Sequence, residues 1–302
     1  MQIRKTNPKG PWTILKLLNW AVSYFSSLHV ENPRASAEIL LAHTLKSERI
    51  DLYVRYDQPL TNDELARFKS FIQRRAKREP VAYIVGEKEF WSLPFFVSKD
   101  VLIPRPETEC LIESALSLLS EAEAADSNRL PRRILDLGTG SGAIVLALAS
   151  ERPDDLFFAS DYSVNAVQTA RKNAARSGFD KRIGFFSGDW LAPVQGRGSR
   201  LDMIVSNPPY IPSEDIAGLQ PEVCDYEPSS ALDGGIDGLF CLKRIIGAAP
   251  DVLNPNGYLL LEIGHDQKKR IRSLIDRSGR YTDVSFVKDY SGLDRVVCMK
   301  RR

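Results

Sequence analysis

The sequence predicts an α/β fold in which an open, mostly parallel sheet follows a small bundle of helices. Two observations carry this prediction. From residue 133 onward, short β-prone runs alternate with helical patterns, which is the order of a sheet covered by helices on both faces. Before residue 85, apolar residues instead recur at helical spacing.

Three helices are predicted in the first domain, residues 1–84. Thr13 is the predicted N-cap of the first helix, and Asn32 is that of the second, which has Pro33 at its first position. The segment Thr61–Glu64 is a capping box that opens the third helix. Because this part contains no catalytic grouping, we expect a recognition or positioning module.

Positive charge is concentrated in the same domain. Residues 1–85 carry 14 Lys and Arg against 8 Asp and Glu, whereas the remaining residues carry 27 against 31. Much of the excess lies between Arg67 and Arg78. This run is either a solvated helix face or a docking surface for an acidic or RNA-associated partner, and both interpretations stay open.

Residues 85–106 are predicted to form a hairpin that connects the two domains. Its β-prone runs are Phe90-Trp91, Phe95–Val97 and Val101–Ile103. The segment Arg105–Glu109 then begins a helix, since Pro106 suits the first position and acids follow in the first turn. The same segment is alternatively a wall of the active site.

The second domain, residues 107–302, is predicted to contain seven strands. These are residues 133–137, 157–160, 183–186, 201–205, 258–263, 284–287 and 295–299. Helices are expected near residues 143–150, 163–177, 239–253 and 267–278. The last two strands could pair antiparallel. In such a sheet, ligands bind beyond the carboxyl ends of the strands.

A glycine-rich turn, Asp136–Gly142, follows the first of these strands. Glycines let the backbone approach a ligand closely, and the helix N-terminus behind them favours an anionic group such as a carboxylate. Asp161, at the tip of the second strand, is placed to accept hydrogen bonds from both ribose hydroxyls. With Ala143, the turn also fits the Gly-x-Gly-x-x-Ala pattern of dinucleotide sites.

Two features favour S-adenosylmethionine over a nicotinamide dinucleotide. Asp136 would repel a pyrophosphate but could reach a methionine ammonium group. Trp190 follows the third strand, where its ring could flank an adenine.

The segment Asn207-Pro208-Pro209-Tyr210 ends the fourth strand, and its chemistry suits methylation of a planar nitrogen, whose lone pair is delocalised. The Asn oxygen and the following backbone carbonyl can accept both N–H bonds of an NH2 group. The prolines fix φ, and the Tyr ring offers a face for stacking. The alternative is a proline-rich turn that merely ends a strand.

Composition argues against several other classes of protein. The three histidines (His29, His43 and His265) have no metal-ligand spacing, and the four cysteines lie far apart, so we expect no metal. No apolar run approaches the ~20 residues that span a bilayer. Residues 1–11 lack an apolar segment of signal-peptide type. We therefore expect a cytoplasmic protein.

The chain resembles the PrmC/HemK family, the N5-glutamine methyltransferases of peptide-chain release factors. The resemblance spans about residues 80–297, and its segments are Arg105–Glu109, Asp136–Gly142, Asp189-Trp190, Asn207–Tyr210, Tyr226–Pro228 and Asp233–Gly235. Adenine-N6 and guanine-N2 methyltransferases share Asn-Pro-Pro-Tyr, but its combination with Arg-Pro-Glu-Thr-Glu is far more specific. Cys224 stands where the family often carries Arg, so the resemblance does not carry over any contact that this Arg makes.

The resemblance implies a class I S-adenosylmethionine-dependent methyltransferase with a Rossmann-like, mostly parallel seven-stranded sheet and an N-terminal substrate-recognition domain. It assigns S-adenosylmethionine to Gly138, Thr139, Gly140, Ser141, Gly142, Asp161, Trp190 and Asn207. It assigns the glutamine of a Gly-Gly-Gln loop to Asn207, Pro208, Pro209 and Tyr210, with Asn207, Pro208 and Tyr210 as the catalytic residues. The implied partners are class 1 release factors, with no nucleic-acid binding required and no membrane.

A nucleic-acid adenine methyltransferase is the alternative function. It would need a base-flipping pocket and a basic track along the catalytic domain, yet acids outnumber bases there. An NAD oxidoreductase would leave Asn-Pro-Pro-Tyr unexplained. The long connection from Tyr210 to about Asp237 is expected either to grip a protein substrate or to be a plain surface loop.

Overall fold

The computed structural model describes residues 11–125, 130–196, 198 and 200–302, and the chain divides into two compact units. One unit runs to Gly86 and also includes Pro221–Tyr226. The other comprises Glu87–Gln220 and Glu227–Arg302. The signal-peptide expectation concerns residues 1–11, of which residues 1–10 lie outside the described residues.

Between residue 11 and Gly86, the part of this unit's first segment that the structure describes, the helical unit contains five helices. They are α1 (Ile14–Ser27), α2 (Pro33–Leu45), α3 (Asp51–Val54), α4 (Asn62–Ala76) and α5 (Val81–Val85). Their apolar faces share one core, which includes Leu18, Phe25, Leu40, Leu41, Phe68 and Ile72. A one-turn helix, Pro221–Cys224, belongs to the same unit although it lies much later in the chain.

Two of the three predicted helix caps are confirmed. The Thr13 hydroxyl accepts a hydrogen bond from the backbone of Lys16, and Thr61 and Glu64 form the reciprocal capping box. The prediction for Asn32 is wrong, because its side chain makes no capping hydrogen bond. Asn32 has a left-handed backbone, φ 48°, whereas a capping side chain requires an extended one.

The basic run at the end of α4 is largely occupied by internal ion pairs. Arg74 Nε donates to Glu79 at 2.8 Å, and Arg75, only 4% exposed, lies 2.8 Å from a carboxylate oxygen of Glu222. Arg78 pairs with the other oxygen of Glu222 at 2.7 Å. Arg75 is buried, so it forms neither a solvated face nor a free docking surface, whereas Arg74 and Arg78 stay partly exposed and pair with acids of the same unit.

Replacing Glu222 with alanine should destabilise the helical unit by about 3 kcal/mol, because the buried Arg75 guanidinium then has no counter-charge. Equilibrium denaturant unfolding measures the loss. Asp276→Ala is the matched control, since its pair with Arg272 is about half exposed and contributes at most ~0.5 kcal/mol. Equal midpoints for the two variants would show that the Glu222 pair adds no stability.

The second unit begins with the predicted hairpin, in which β1 (Glu87–Phe90) pairs antiparallel with β2 (Leu93–Phe96). Trp91 was expected to extend a strand, but it forms the turn with Ser92, and both residues have positive φ. Val101–Ile103 was also expected as a strand and is instead an irregular connection. Val101 and Ile103 are buried there, so burial rather than strand pairing explains their apolar character.

Over the described residues, the main sheet has the predicted seven strands. They are β3 (Arg133–Leu137), β4 (Leu156–Asp161), β5 (Ile183–Ser187), β6 (Leu201–Ser206), β7 (Leu253–Glu262), β8 (Tyr281–Lys288) and β9 (Asp294–Arg301). The long helices of this unit are α6 (Glu109–Ala125), α7 (Ala143–Glu151), α8 (Val164–Arg176), α9 (Phe240–Ala248) and α10 (Lys268–Ser278). Strands β3 to β7 are parallel, and β9 is antiparallel to β7 and to β8, which confirms the predicted pairing of the last two strands.

The strand order, β5-β4-β3-β6-β7-β9-β8, places the site. From β3 the chain proceeds outward through β4 and β5, and then returns to the other side of β3 to form β6. This reversal opens a crevice at the carboxyl ends of β3 and β6. The glycine-rich turn after β3 and Asn207 after β6 therefore lie at one edge of the sheet.

The connection between Tyr210 and Asp237 contains short structured pieces. Ser213–Gly218 and Ser229–Ala231 are 3-10 turns, and Pro221–Cys224 is the one-turn helix of the other unit.

Across the described ranges, no helix combines the length and the apolar character that a membrane span requires.

Candidate active site

A cavity of about 490 Å³ lies at the carboxyl ends of β3, β4 and β6. Small-molecule sites commonly measure roughly 300–1,000 Å³. The residues predicted to bind the cofactor that line it are Gly138, Thr139, Gly140, Ser141, Asp161, Trp190 and Asn207. Gly142 is not among the lining residues. The sheet edge thus brings together side chains that lie up to about 70 residues apart in the sequence.

The turn after β3 is held from below by Asp136. This carboxylate is fully buried, and one of its oxygens accepts hydrogen bonds from the Thr139 hydroxyl at 2.6 Å and from the Val145 backbone. Burial raises the pKa of Asp136 to about 7. Asp136 does not line the cavity and braces the turn through this oxygen, while its other oxygen, Oδ1, has no hydrogen-bond partner among the described residues.

Gly140 and Gly142 have positive φ, 55° and 85°, but their surroundings differ. A Cβ atom on Gly140 would meet no heavy atom within 4 Å, whereas one on Gly142 would lie 2.6 Å from Leu146 Cδ1 and 3.1 Å from Ala170 Cβ. Gly142 therefore permits close packing of α7 on α8, while Gly140 leaves open space.

Gly142→Ala should cost more stability than Gly140→Ala. The left-handed backbone costs each variant about 1–2 kcal/mol, and overpacking against Leu146 and Ala170 adds ~1–3 kcal/mol at Gly142 alone. Thermal or denaturant unfolding of the two variants gives the comparison. Equal losses would mean that the packing at Gly142 relaxes without cost.

Asp161 ends β4 and contributes its carboxylate to the cavity wall. Its oxygens accept hydrogen bonds from the backbone of Gly140 and of Ser163, both at 2.9 Å. Burial raises the pKa of Asp161, and these hydrogen bonds oppose the rise. A carboxylate has about four acceptor positions, so Asp161 can still accept a hydroxyl donor from a ligand.

Trp190 lies close to the glycine-rich turn, next to Gly138. Its Cζ3 atom is 3.8 Å from the position that a Cβ on Gly138 would take. The neighbouring Asp189 pairs with Arg244 of α9 at 2.6 Å, and both line the cavity. The indole thus supplies a flat apolar wall between charged neighbours.

The Asn-Pro-Pro-Tyr segment contributes unequally to this cavity. Asn207 and Pro209 line it, whereas Pro208 is buried and Tyr210 lies behind the wall, packed against the sheet core. The Tyr210 hydroxyl donates to Glu262 at 3.3 Å, and burial raises the pKa of Tyr210. Asn207 Nδ2 donates to the Thr108 hydroxyl at 3.2 Å.

Arg105 and Thr108 also line the cavity. Pro106–Thr108 forms a single 3-10 turn that leads into α6, so the helix start and the cavity wall are the same segment. Arg105 pairs with the buried Glu227 at 2.6 Å. The segment therefore both begins a helix and forms part of the cavity wall, as the two interpretations of the sequence predicted.

Glu262, at the end of β7, was missed from the sequence. It is 1% exposed, and its carboxylate accepts a hydrogen bond from the Thr108 hydroxyl at 2.7 Å. Burial raises the pKa of Glu262 to about 7, although Thr108, Arg295 and Tyr210 oppose the rise. The available signal was one acid in the apolar run of a central strand, which requires a polar partner.

Among the residues that the structure describes, no three His, Cys, Asp or Glu side chains are grouped so as to hold a metal ion.

Comparisons with known proteins identify the family of the chain. Residues 16–86 match the family described as the PrmC N-terminal domain, and residues 114–218 match the methyltransferase small domain. A release factor glutamine methyltransferase from Geobacter sulfurreducens is 43% identical over 286 residues, which cover 95% of this chain and 96% of the relative. The chain belongs to the release factor glutamine methyltransferase family.

A second member of this family, from Agrobacterium fabrum, is 42% identical over 90% of this chain and 92% of its own length. Among solved structures, the N-terminal domain of human METTL16 in complex with SAH aligns with a TM-score of 0.52 over 99% of this chain and 98% of that one. Its 16% identity shows the fold alone. The predicted class I methyltransferase fold is confirmed.

Proposed function

We propose that the protein methylates N5 of the glutamine in the Gly-Gly-Gln motif of class 1 peptide-chain release factors, with S-adenosylmethionine as the methyl donor. The relatives named release factor glutamine methyltransferase support this assignment. The observation that carries it is the position of Asn207, which lines the same cavity as the glycine-rich turn, Asp161 and Trp190. Methylation of this glutamine supports translation termination, and we place the reaction in the cytoplasm.

The residues of the cavity fit S-adenosylmethionine. Asp161 retains acceptor capacity for ribose hydroxyls, Trp190 offers a flat wall for adenine, and the turn Gly138–Gly142 lets a methionyl group approach the backbone. When bound, the cofactor supplies an electrophilic methyl group on a positively charged sulfur.

In this proposal, the Asn-Pro-Pro-Tyr segment holds the substrate carboxamide still. Asn207 Oδ1 and the Pro208 carbonyl accept the two N–H bonds of the glutamine. The Tyr210 ring does not line the cavity, but it is only partly buried, and its exposed part offers a face for the glutamine plane where the substrate enters. Fixed alignment of this kind lowers a barrier by at most ~7–11 kcal/mol. No strong base is required, because the amide becomes far more acidic as its nitrogen gains a fourth bond, and its proton can leave to water.

The remaining parts of the chain are proposed to serve recognition of the release factor. The helical unit binds it, and the connection from Tyr210 to Asp237 grips the extended Gly-Gly-Gln loop. The segment Pro221–Tyr226 belongs to the helical unit, whereas the residues on either side of it belong to the catalytic unit. This chain connectivity lets one segment of the connection serve recognition while its flanks serve the catalytic unit. No nucleic-acid contact is required.

Methyl-labelled S-adenosylmethionine tests the proposal directly. The protein is incubated with a class 1 release factor, with the same factor carrying Ala in place of the Gly-Gly-Gln glutamine, and with DNA or RNA. Label should enter only the unaltered release factor. Label in the nucleic acid, or in the altered factor, would contradict the assignment and favour the exocyclic-amine alternative.

A further inference from the structure

A hydrogen-bond network connects Asn207 to the buried residues Thr108 and Glu262. Asn207 Nδ2 donates to Thr108 Oγ1, and the Thr108 hydroxyl donates in turn to Glu262 Oε2. The other oxygen of Glu262 accepts from the Tyr210 hydroxyl. Thr108 and Glu262 are 4% and 1% exposed, so water contributes little to this network.

The direction of these hydrogen bonds fixes the orientation of the Asn207 amide. A threonine hydroxyl has one hydrogen, and Thr108 gives it to the Glu262 carboxylate, which only accepts. What Thr108 then presents to Asn207 is a lone pair, so the amide must turn its NH2 group toward Thr108. The Asn207 oxygen is thereby left for the cavity side, where an acceptor for glutamine N–H bonds is needed.

We propose that Glu262 is a positioning residue, which acts through Thr108 to hold the Asn207 side chain with its oxygen toward the substrate amide. The proposal rests on the proposed function and adds to it two residues outside the Asn-Pro-Pro-Tyr segment. If the Glu262 carboxylate is lost, the Thr108 hydrogen is free to turn toward Asn207 Oδ1. The Asn207 amide then turns its NH2 group toward the NH2 group of the substrate glutamine. Two donors face each other, so the substrate is repelled.

The matched pair Thr108→Val and Thr44→Val tests this link. Both changes remove a buried threonine hydroxyl, but Thr44 donates to Leu40 in the helical unit. Thr108→Val should lower kcat about tenfold or more, with the Kd for S-adenosylmethionine within about twofold of the unaltered protein. Thr44→Val should leave kcat unchanged. Thr108→Ser, which restores the hydroxyl, should recover most of the loss.

Charge at Glu262 gives a second readout. The groups that face it are Thr108 before α6, Tyr210 after β6 and the cation Arg295 on β9, with Glu107 as a nearby like charge. Arg295 is itself paired with Asp289 at 3.1 Å. Because burial raises the pKa of Glu262 to about 7, the ionised fraction falls as the pH drops through neutrality.

Glu262→Gln removes this charge but keeps an oxygen that can accept from Thr108, as the protonated acid does through its carbonyl oxygen. Glu262→Leu removes the charge and the acceptor together. Glu262→Gln should therefore keep at least several-fold more turnover than Glu262→Leu, whose loss should match that of Thr108→Val. Equal turnover in Glu262→Gln and Glu262→Leu would overturn the proposal. So would a Thr108→Val variant that turns over as fast as Thr44→Val.

Failure of the proposed function is distinguishable from failure of this inference. If the unaltered protein transfers no methyl group to a release factor, the function is wrong. Neutron diffraction from deuterated crystals still tests the positioning, because it separates Nδ2 from Oδ1 without turnover. Deuterium on the atom facing Thr108 supports the inference, and deuterium on the cavity side contradicts it.

Discussion

Asn207→Ala should remove most of kcat, at least about a hundredfold, and leave binding of S-adenosylmethionine largely intact. The side chain supplies one of two acceptors that hold the substrate NH2 group, and a misplacement of ~1 Å can cost about a hundredfold in rate. The cofactor has other contacts available, since the glycine-rich turn, Asp161 and Trp190 line the same cavity.

Calorimetry measures cofactor binding in this variant, and a methyl-transfer assay measures turnover. Asn254→Ala is a suitable control, because Asn254 bonds to Asp202 at the opposite end of the sheet. Near-normal turnover in Asn207→Ala would refute the catalytic role of Asn207. A large loss in Asn254→Ala would instead point to a general effect on the fold.

Asp161→Ala should have the opposite signature, with the Kd for S-adenosylmethionine weakened about a hundredfold. Hydrogen bonds to a charged group contribute about 1.5–3 kcal/mol, and the ribose would lose its acceptors. The change also removes the partner of the Gly140 backbone N–H, so the glycine-rich turn loses a fixed contact. At saturating cofactor, kcat should recover substantially.

Isothermal titration with the cofactor, followed by turnover at rising cofactor concentration, separates these effects. Asp154→Ala, at an exposed position before β4, controls for removal of an acid from the same unit. An unchanged Kd in Asp161→Ala would mean that this carboxylate serves only to hold the turn. Together with Asn207→Ala, the variant divides the cavity into a cofactor side and a substrate side.

The strands and helices that the sequence predicted correctly are those whose burial is local and periodic. Strand β3 matches its predicted residues, and α8 begins after its cap Ser163. Val101–Ile103 was mistaken for a strand because an apolar run reports burial but not the presence of a pairing partner. Strand β7 begins at Leu253, earlier than predicted. The prediction missed its first residues because they include Pro255 and Gly257, which are atypical of strands.

Part of the site could be predicted because two polar residues stand at the ends of apolar strands. Asp161 and Asn207 are polar residues at the carboxyl ends of apolar strands, so the topology predicts that they meet. Glu262 and Arg75 could not be assigned in this way. Their roles depend on partners 154 and 147 residues away, Thr108 and Glu222, which local spacing does not report.

A crystal structure of the protein with S-adenosylhomocysteine and a class 1 release factor tests the central claim most directly. We predict that the Gly-Gly-Gln glutamine enters the cavity, with its NH2 group within hydrogen-bonding distance of both Asn207 Oδ1 and the Pro208 carbonyl. A glutamine bound elsewhere, or an Asn207 side chain turned away from it, would contradict the claim.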